Sequence, residues 1–155
     1  MAPKLEAVRP GIDIRMLDEG DGSLLDRVAP DVFDYAIDAR RTAEFLSDAR
    51  HHLAVAMDAD LVVGMATAVH YVHPDKGPEL WINEVGVSTA YRGQGIGRRI
   101  LRALFGRARE LGCSEAWVCT EHDNRAARRL YNSAGGVEQD IVYVTFALDG
   151  EQVSA

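Results

Sequence analysis

Runs of apolar residues separated by polar residues divide the first half of the chain into four predicted strands. Ile12–Leu17 alternates apolar with charged residues, as a strand with one buried face does. Residues 53–57 and Leu61–Tyr71 are longer apolar runs, and the Asp58-Ala59-Asp60 link between them predicts a tight hairpin. Glu79–Val87 is predicted to form the fourth strand, after a loop that contains two prolines.

The spacing of apolar residues becomes helical in the second half of the chain. From Ile96 onwards they recur at positions 100, 104, 108 and 111, and Gly112 is predicted to end this helix. Residues 116–120 predict a buried strand, 125–134 a helix and 142–148 a closing strand. Strands followed by alternating strands and helices predict an α/β fold, a mixed sheet with helices on its faces.

The segment between the first two strands has a weaker pattern. Residues 23–49 place apolar residues at mixed helical intervals, and Pro30 divides them into two pieces. Asp31, Asp34 and Asp38 follow that proline. Such a series either forms the solvated face of a helix or binds a cationic ligand.

Composition restricts the kind of protein further. A chain of 155 residues with 47% hydrophobic residues fits one domain, residues 1–155, with one core. Its net charge of −7 argues against nucleic acid and suits a cationic substrate. No run approaches the roughly 20 apolar residues of a membrane span, and residues 1–11 lack the apolar core of a signal peptide, so a cytoplasmic protein is expected. Cys113 and Cys119 match neither a disulfide framework nor a metal site.

The junction between the fourth strand and the following helix is rich in glycine. It reads Arg92-Gly-Gln-Gly-Ile-Gly97 and follows an apolar strand directly. Glycines allow a close backbone approach, and the free N–H groups of a helix start can bind a phosphate or pyrophosphate. The spacing fits neither a P-loop nor a dinucleotide fingerprint, because no Lys-Ser or Lys-Thr follows and a third glycine is missing.

This R-x-x-G-x-G pattern resembles the acetyl-CoA signature of the GNAT superfamily of N-acetyltransferases. A second segment, from Asn124 to Gly135, is similar to the later motif of that family, N-x-x-A-x-x-L-Y-x-x-x-G. Gly136 departs from the family, which usually has an aromatic residue there. The resemblance implies a mostly antiparallel sheet in which two parallel strands, Glu79–Val87 and residues 116–120, splay apart to admit acetyl-CoA.

The resemblance also implies which residues hold acetyl-CoA. The backbone of Val85 and Val87 would bind the pantetheine amide and the thioester carbonyl, and Asn124 would contact the pantetheine arm. The remaining residues would hold the pyrophosphate: Arg92, Gly93, Gln94, Gly95, Gly97 and Arg98.

Two residues could carry the chemistry of acetyl transfer. Glu84 has apolar neighbours that can raise the pKa of its carboxyl group, so it is either a general base or a carboxylate that binds the acceptor amine. The family resemblance makes Tyr131 the group that would protonate the departing thiolate. The alternatives are a salt bridge at a strand edge for Glu84 and a packing role for Tyr131.

The acceptor is predicted from residues 71–96, which resemble aminoglycoside 3-N-acetyltransferases and so imply an antibiotic-resistance activity. The alternatives are a polyamine, an amino acid derivative or a protein amine. The carboxylates and the histidine that could contact a cationic acceptor are Asp31, Asp34, Asp38, Glu79 and His122, and His70 and His73 could shape its site. A non-catalytic acyl-CoA-binding module is the alternative of another class, and the presence of both Glu84 and Tyr131 argues against it. The sequence is compatible with a homodimer.

Overall fold

The computed structural model of the chain describes residues 11–150. Five strands form one sheet in the order β1-β2-β3-β4-β5, antiparallel except for the parallel pair β4–β5. The three helices and the five strands are β1 (Ile12–Leu17), α1 (Ala39–Ser47), β2 (His51–Asp58), β3 (Leu61–Tyr71), β4 (Glu79–Val87), α2 (Ile96–Glu110), β5 (Ala116–Val118) and α3 (Arg125–Ser133). The predicted mixed sheet flanked by helices is confirmed.

The core lies between the sheet and α2. Ile100, Leu101 and Leu104 repeat at helical spacing and are at most 1% exposed against the inner face of β1 to β4. Gly64 on β3 allows this close approach, because an added Cβ would lie 3.0 Å from the terminal methyl of Ile100. The hairpin between β2 and β3 turns at Ala59, which has a positive φ of 52°.

The pairing of β4 with β5 is short. It covers three residue pairs and ends at Ile82↔Val118, whereas β4 continues to Val87. Beyond Ile82, β4 therefore keeps β3 as a neighbour on one side and faces a gap on the other. This is the splayed parallel pair that the family resemblance predicts.

A bulge bends β4 at the start of that gap. Thr67 pairs with Glu84, but the next residue of β3, Ala68, pairs with Ile82. Asn83 is thus the extra residue of β4. Bulges often re-aim side chains beside active sites, and here the residue that follows the bulge is Glu84.

Three elements differ from the predictions. Residues 23–49 contain only a 3₁₀ turn at Gly22–Asp26 and the helix α1, so Asp31 and Asp34 lie on a loop rather than on a helix face. The predicted buried strand at residues 116–120 ends at Val118 and is largely accessible. The predicted closing strand at 142–148 is wrong for this structure, because residues 135–150 are exposed and form no strand. A strand requires a neighbour to take its backbone hydrogen bonds, and none of the elements in residues 11–150 provides one.

The prediction for residues 1–11 lies almost wholly outside the described part of the chain. Within residues 11–150, no helix combines the length and the apolar character needed to cross a membrane.

Candidate active site

The start of α2 is an open anion seat. Gly93 and Gly95 adopt left-handed backbone conformations, with φ of 72° and 73°, which glycine adopts without strain. Gly95 is the N-cap and has no side chain to cap the helix, and the first helical hydrogen bond runs from the Arg99 N–H to the Gly95 carbonyl. The N–H groups of the first turn of α2, before Arg99, therefore have no partner within the helix and can donate to an external acceptor.

The surroundings of this seat fit a phosphate-bearing ligand. A Cβ added to Gly95 would meet only a terminal nitrogen of Arg98, at 3.9 Å. Gln94 Oε1 is buried and has no hydrogen-bond partner among the described residues. The seat therefore offers N–H donors and one cation to a phosphate. A buried acceptor without a partner is costly, so Gln94 Oε1 needs a separate donor, such as an amide N–H or a hydroxyl of a ligand.

Two of the residues predicted to hold the pyrophosphate have other contacts. A Cβ on Gly97 would lie 3.1 Å from both methyl carbons of Leu130, so the absence of a side chain there allows α2 and α3 to pack. Arg92 donates from Nε to the Val87 carbonyl at 3.0 Å, which ties the glycine loop to the end of β4. Gly97 therefore has a packing role, and one N–H group of Arg92 is already engaged.

The backbone of β4 opens toward the gap at alternate residues. The Ser88 N–H donates to the Val63 carbonyl at 2.9 Å, which makes Gly64↔Val87 a pair without direct hydrogen bonds. The polar backbone groups of Val87, and of Val85 two residues earlier, consequently point away from β3. This orientation suits main-chain hydrogen bonds to a ligand in the gap.

Glu84 lies half-buried beside the loop that contains Asp34. The backbone of Asp34 lies near the Glu84 carboxylate. Burial raises the pKa of Glu84 and the negative charge of Asp34 raises it further, while the nearby backbone of Asp34 opposes both effects. A carboxylate with a raised pKa holds a proton more readily, which is the property of a general base.

One face of the sheet carries Glu84 together with other acidic and aromatic side chains. Thr67, Val69 and Tyr71 share this face because residues two apart on a strand point the same way. Directly opposite them on β4 lie Glu84, Trp81 and Glu79. The loop from Asp31 to Asp38 covers the same face, since a Cβ on Gly86, which pairs with Met65, would overlap the Val32 carbonyl.

An aromatic platform of Trp81 and Trp117 lies next to Glu84 on that face. Their rings stack with centroids 5.3 Å apart and planes 11° apart, and Trp81 is 37% exposed. The Trp117 indole N–H donates to the Tyr71 hydroxyl at 3.0 Å, and that hydroxyl donates to Glu79 at 2.9 Å. Neither tryptophan was predicted to belong to the site from the sequence. The period-two spacing of Glu79 and Trp81 could have indicated that these two side chains share one face of β4.

Tyr131 lies half-buried on α3 and packs against the core. Burial raises the pKa of its hydroxyl, and the negative charge of Glu121 adds to the shift. The hydroxyl therefore stays protonated at neutral pH and can donate a proton. Asn124 caps α3, its side-chain oxygen accepting from the Ala127 N–H at 3.1 Å.

The other predicted acceptor residues are not brought together. Asp38 caps α1 through the Arg41 N–H at 2.9 Å, which explains it as a structural residue. Asp31 accepts from the Thr89 hydroxyl at 3.1 Å. Glu79 forms an ion pair with Lys76 at 2.8 Å, and this contact lowers its pKa.

The histidines divide between two regions of the structure. His52 and His70 contact each other at 2.8 Å, and burial, with His70 adding to it, lowers the pKa of His52 to about 4. They lie on the face opposite to Glu84, so His70 does not shape the face described above. His73 lies 3.9 Å from Glu79, near the platform. His122 is exposed beside α3, and its carbonyl accepts from Arg128 at 2.7 Å.

The chain matches known proteins in sequence and in fold. The model of the Acetyltransferase (GNAT) family matches residues 22–135. An L-2,4-diaminobutyric acid acetyltransferase of Streptomyces avermitilis is 34% identical over 128 residues, which cover 79% of this chain and 69% of that protein. An aminoglycoside acetyltransferase from an uncultured soil metagenomic sample, solved in complex with sisomicin, has a TM-score of 0.79 at 22% identity and covers 90% of this chain and 97% of its own. The aminoglycoside N-acetyltransferase AAC(6')-Iy in complex with CoA has a TM-score of 0.70 at 20% identity, with 88% and 95% covered. The two structural likenesses establish a common fold.

Proposed function

The chain belongs to the GNAT family of acetyltransferases, and from this we propose that it transfers an acetyl group to a primary amine of a cationic small molecule. Enzymes of this family are N-acetyltransferases that use acetyl-CoA. An aminoglycoside is the leading acceptor, which would make the activity one of antibiotic resistance. The observation that carries the proposal is the half-buried Glu84 beside Asp34 and Trp81, at the edge of the gap in the sheet.

The donor site extends from the gap to the start of α2. Acetyl-CoA supplies an activated thioester when bound. The outward N–H groups of the first turn of α2, with Arg98 beside them, hold the pyrophosphate. The backbone groups of Val85 and Val87 that point into the gap hold the pantetheine amide and orient the thioester carbonyl, and the Asn124 amide nitrogen contacts the pantetheine arm.

Glu84 prepares the amine for attack. An alkylammonium group has no lone pair for attack until it loses a proton, and its charge draws it to a carboxylate. Glu84 meets both needs because it binds the ammonium while ionised and can accept its proton, directly or through a water. The raised pKa of Glu84 brings it nearer to the pKa of the amine, so the proton transfer is less unfavourable.

Tyr131 completes the transfer at the leaving group. A thiolate departs more readily when a proton reaches its sulfur as the bond breaks. The Tyr131 hydroxyl is protonated at neutral pH and projects from the helix that packs against the α2 seat. We assign it as the general acid that protonates the departing sulfur.

Charge and aromatic surface favour a polycationic, ring-containing acceptor. Asp34 and Glu84 supply two carboxylates on one side of the gap, and the Trp81 face can bind a cationic ring substituent. The resemblance over residues 71–96 favours acetylation at the 3-amine, while AAC(6')-Iy among the fold neighbours makes the 6'-amine the competing position.

A second candidate acceptor is a diamino acid. The Streptomyces avermitilis relative is named for L-2,4-diaminobutyric acid and is the most extensive sequence match described above. Such an acceptor is smaller and carries one carboxylate of its own. The acidic face around Glu84 would repel that carboxylate, which favours the polycationic acceptor.

The test is the release of free CoA thiol from acetyl-CoA over a panel of amines. Sisomicin, 2,4-diaminobutyrate, spermidine and a peptide with a free N-terminus cover the alternatives. We expect the largest kcat/KM for sisomicin, and mass spectrometry of fragments locates the acetylated amine. Binding of CoA without turnover of any amine would instead favour a non-catalytic acyl-CoA-binding module.

A further inference from the structure

The stacked tryptophans of the aromatic platform leave one indole face of Trp81 free. Coplanar indole rings with centroids 5.3 Å apart would overlap, so the nearly parallel rings of Trp81 and Trp117 lie face to face. Neighbouring strands are about 4.8 Å apart, and the two rings therefore stand upright on β4 and β5. Trp117 covers one face of Trp81, whereas the other face is directed over β3, and Trp81 keeps 37% of its surface exposed.

The surface of β3 beside that free face is open. Thr67 and Val69, which pair with Glu84 and Trp81, are partly exposed. Met65 points the same way two residues earlier and is fully buried. The open surface therefore starts beside Glu84 and continues along β3 past the free face of Trp81. We call this surface, with Thr67 and Val69 as its floor and Trp81 as one wall, the slot.

The side chain of Tyr71 holds the platform in position at the far end of the slot. Its hydroxyl accepts a hydrogen bond from the Trp117 indole N–H at 3.0 Å and donates one to Glu79 at 2.9 Å. β4 lies between β3 and β5, so Tyr71 reaches across the strand that carries Trp81. The ladder between β4 and β5 has only three residue pairs, with Trp81↔Trp117 in the middle. The hydrogen bond to Tyr71 therefore adds a restriction on the rotation of the Trp117 ring that the short ladder does not supply.

The distance between Glu84 and Trp81 matches one six-membered ring. Their partners on β3 are two residues apart, which corresponds to about 7 Å along the strand. A hydrogen bond from an ammonium group to the Glu84 carboxylate takes about 3 Å of that distance. The remainder is close to the separation between the centre of a six-membered ring and a nitrogen that the ring carries. An amine bound to Glu84 therefore places its own ring against Trp81.

A ring gains more from this wall than a flexible chain does. The C–H groups on the face of a saturated ring pack against the indole as one surface, and a positive charge on the ring adds a cation–π attraction. A linear polyamine has to restrict many rotatable bonds to make the same contact, so part of the binding energy is lost as entropy. The carboxylate of Glu84 attracts both kinds of amine, and the discrimination between them therefore comes from Trp81.

We propose that Trp81 is a specificity-determining residue that stacks on the ring bearing the reacting amine, and that Tyr71 is the positioning residue that keeps the platform aligned. The acceptor class is then an amino sugar or another cyclic amine, and linear polyamines are poor substrates. The effect on turnover rests on the proposed acetyl transfer, whereas binding of a ring to Trp81 can be measured without acetyl-CoA.

The first test measures binding in the absence of acetyl-CoA. The chain contains two tryptophans, both in the platform, so its tryptophan fluorescence reports on this site alone. Sisomicin should change the emission, and spermine, a linear polycation, should change it little at the same ionic strength. Trp81→Leu should raise the Kd for sisomicin, measured by calorimetry, about tenfold and leave the Kd for spermine unchanged, while Trp81→Phe should recover most of the loss. An equal Kd for sisomicin in the wild type and in Trp81→Leu overturns the proposal.

Tyr71→Phe tests the positioning role, because it keeps the ring and removes both hydrogen bonds. Tryptophan gives a near-ultraviolet circular dichroism signal only when its ring is held in a fixed environment, so we expect the tryptophan bands to weaken. KM for sisomicin should rise several-fold, while kcat, KM for spermine and the Kd for CoA stay the same. Tyr143→Phe is the matched control, since Tyr143 is 72% exposed and lies outside the platform, and it should change none of these quantities.

The outcomes separate this inference from the proposed acetyl transfer. If no amine is acetylated but sisomicin binding still depends on Trp81, the acetyl transfer is wrong and the ring site stands. If the wild type and Trp81→Leu acetylate sisomicin with the same kcat/KM, the acetyl transfer stands and the ring site is wrong. Unchanged tryptophan bands and an unchanged KM in Tyr71→Phe would exclude Tyr71 as the positioning residue.

Discussion

Two glutamates on the same strand differ in protonation behaviour because of their neighbours. Glu79 contacts Lys76 and accepts from Tyr71, and these contacts lower its pKa. Glu84 is half-buried beside Asp34, and its pKa is raised. Because the two pKa values shift in opposite directions, Glu79 stays ionised while Glu84 can gain and lose a proton more readily. We therefore expect Glu79 to attract a cation and Glu84 to take part in the reaction.

Replacement of Glu84 by Gln removes the charge and the basic group but keeps the shape. We expect kcat/KM for a cationic acceptor to fall by about 10²–10⁴-fold, while the Kd for CoA stays the same. In the wild type, activity should increase as pH rises through the raised pKa of Glu84, because only the ionised form accepts a proton. This acid limb should be missing in the variant.

Asp13→Asn is the matched control for Glu84→Gln. Asp13 is an exposed carboxylate on β1 that pairs with Arg15 at 2.8 Å, far along the sheet from β4. Its replacement should leave kcat/KM unchanged. Full activity of Glu84→Gln at neutral pH would exclude Glu84 as the base.

The same substitution has a predicted effect on stability. A carboxyl group with a raised pKa in the folded state favours folding at low pH, and this contribution is lost as pH rises from the unfolded pKa through the folded one. At pH 7 the buried charge of Glu84 therefore opposes folding, and Gln carries no charge. Scanning calorimetry at pH 7 should give Glu84→Gln a Tm equal to or above that of the wild type, and a clearly lower Tm would mean that the charge stabilises the fold.

Tyr131→Phe tests the proposed general acid. Loss of the hydroxyl should lower kcat by about 10²-fold, with little change in the Kd for CoA, because the ring still packs against the core. Pre-steady-state kinetics should show that the chemical step is the one slowed. An unchanged chemical step would leave Tyr131 as a packing residue.

At the scale of elements, α2 joins the donor seat to the core of the protein. Its first turn has no side-chain cap, whereas its inner residues are fully buried against four strands. Packing and ligand binding therefore impose separate demands on different parts of one helix. Substitutions at its start should change binding with little loss of stability, and substitutions in its middle should do the reverse.

Gly95→Asp tests the start of α2. The position has a φ of 73°, which disfavours a side chain, and a carboxylate there would repel a pyrophosphate. Calorimetric titration should show CoA binding to be lost. In Gly106→Ala, a control within the same helix, the added Cβ meets nothing within 4 Å. It should keep CoA affinity and gain about 0.5–1 kcal/mol of stability, and equal CoA affinity in Gly95→Asp would place the seat elsewhere.

The sequence predicted strands well where the described part of the chain also contains the strands they pair with. The bounds of β1, β3 and β4 match the pattern of apolar residues, because each strand pairs within the described sheet. Residues 142–148 have an equally clear alternation of apolar residues. Such a pattern shows that a segment favours the strand conformation, but it does not show that another strand is available to pair with it. A tertiary contact explains why the packing role of Gly97 could not be predicted, since the approach of Leu130 is not visible from spacing. The role of Asp38 is local, because it caps its own helix through the Arg41 N–H three residues later.

At the scale of the whole molecule, the net charge of −7 should govern how an acceptor is captured. A negative protein raises the local concentration of cations and speeds their association. This attraction between exposed charges is screened within about 8–10 Å at near-physiological ionic strength. The effect should be greater for a polycation than for a singly charged amine.

Salt titration measures this contribution. We expect KM for an aminoglycoside to rise steadily as NaCl increases from about 10 mM to 0.5 M, over which the screening length shortens several-fold. KM for a monoamine should change less, and kcat should change little for either. A KM that does not depend on salt for the polycation would show that net charge has no part in capture.

The contact between Gly86 and the Val32 carbonyl has a consequence for how this enzyme can diversify. Any side chain at position 86 would overlap the Val32 carbonyl in the loop above it. A substitution there is therefore tolerated only if the loop moves with it. The neighbouring loop residues Asp34 and Tyr35 are exposed and carry no such restriction. New acceptor preferences should therefore arise by drift in the loop while position 86 stays glycine, which makes the loop the place where libraries for altered specificity will contain most of the folded, active members.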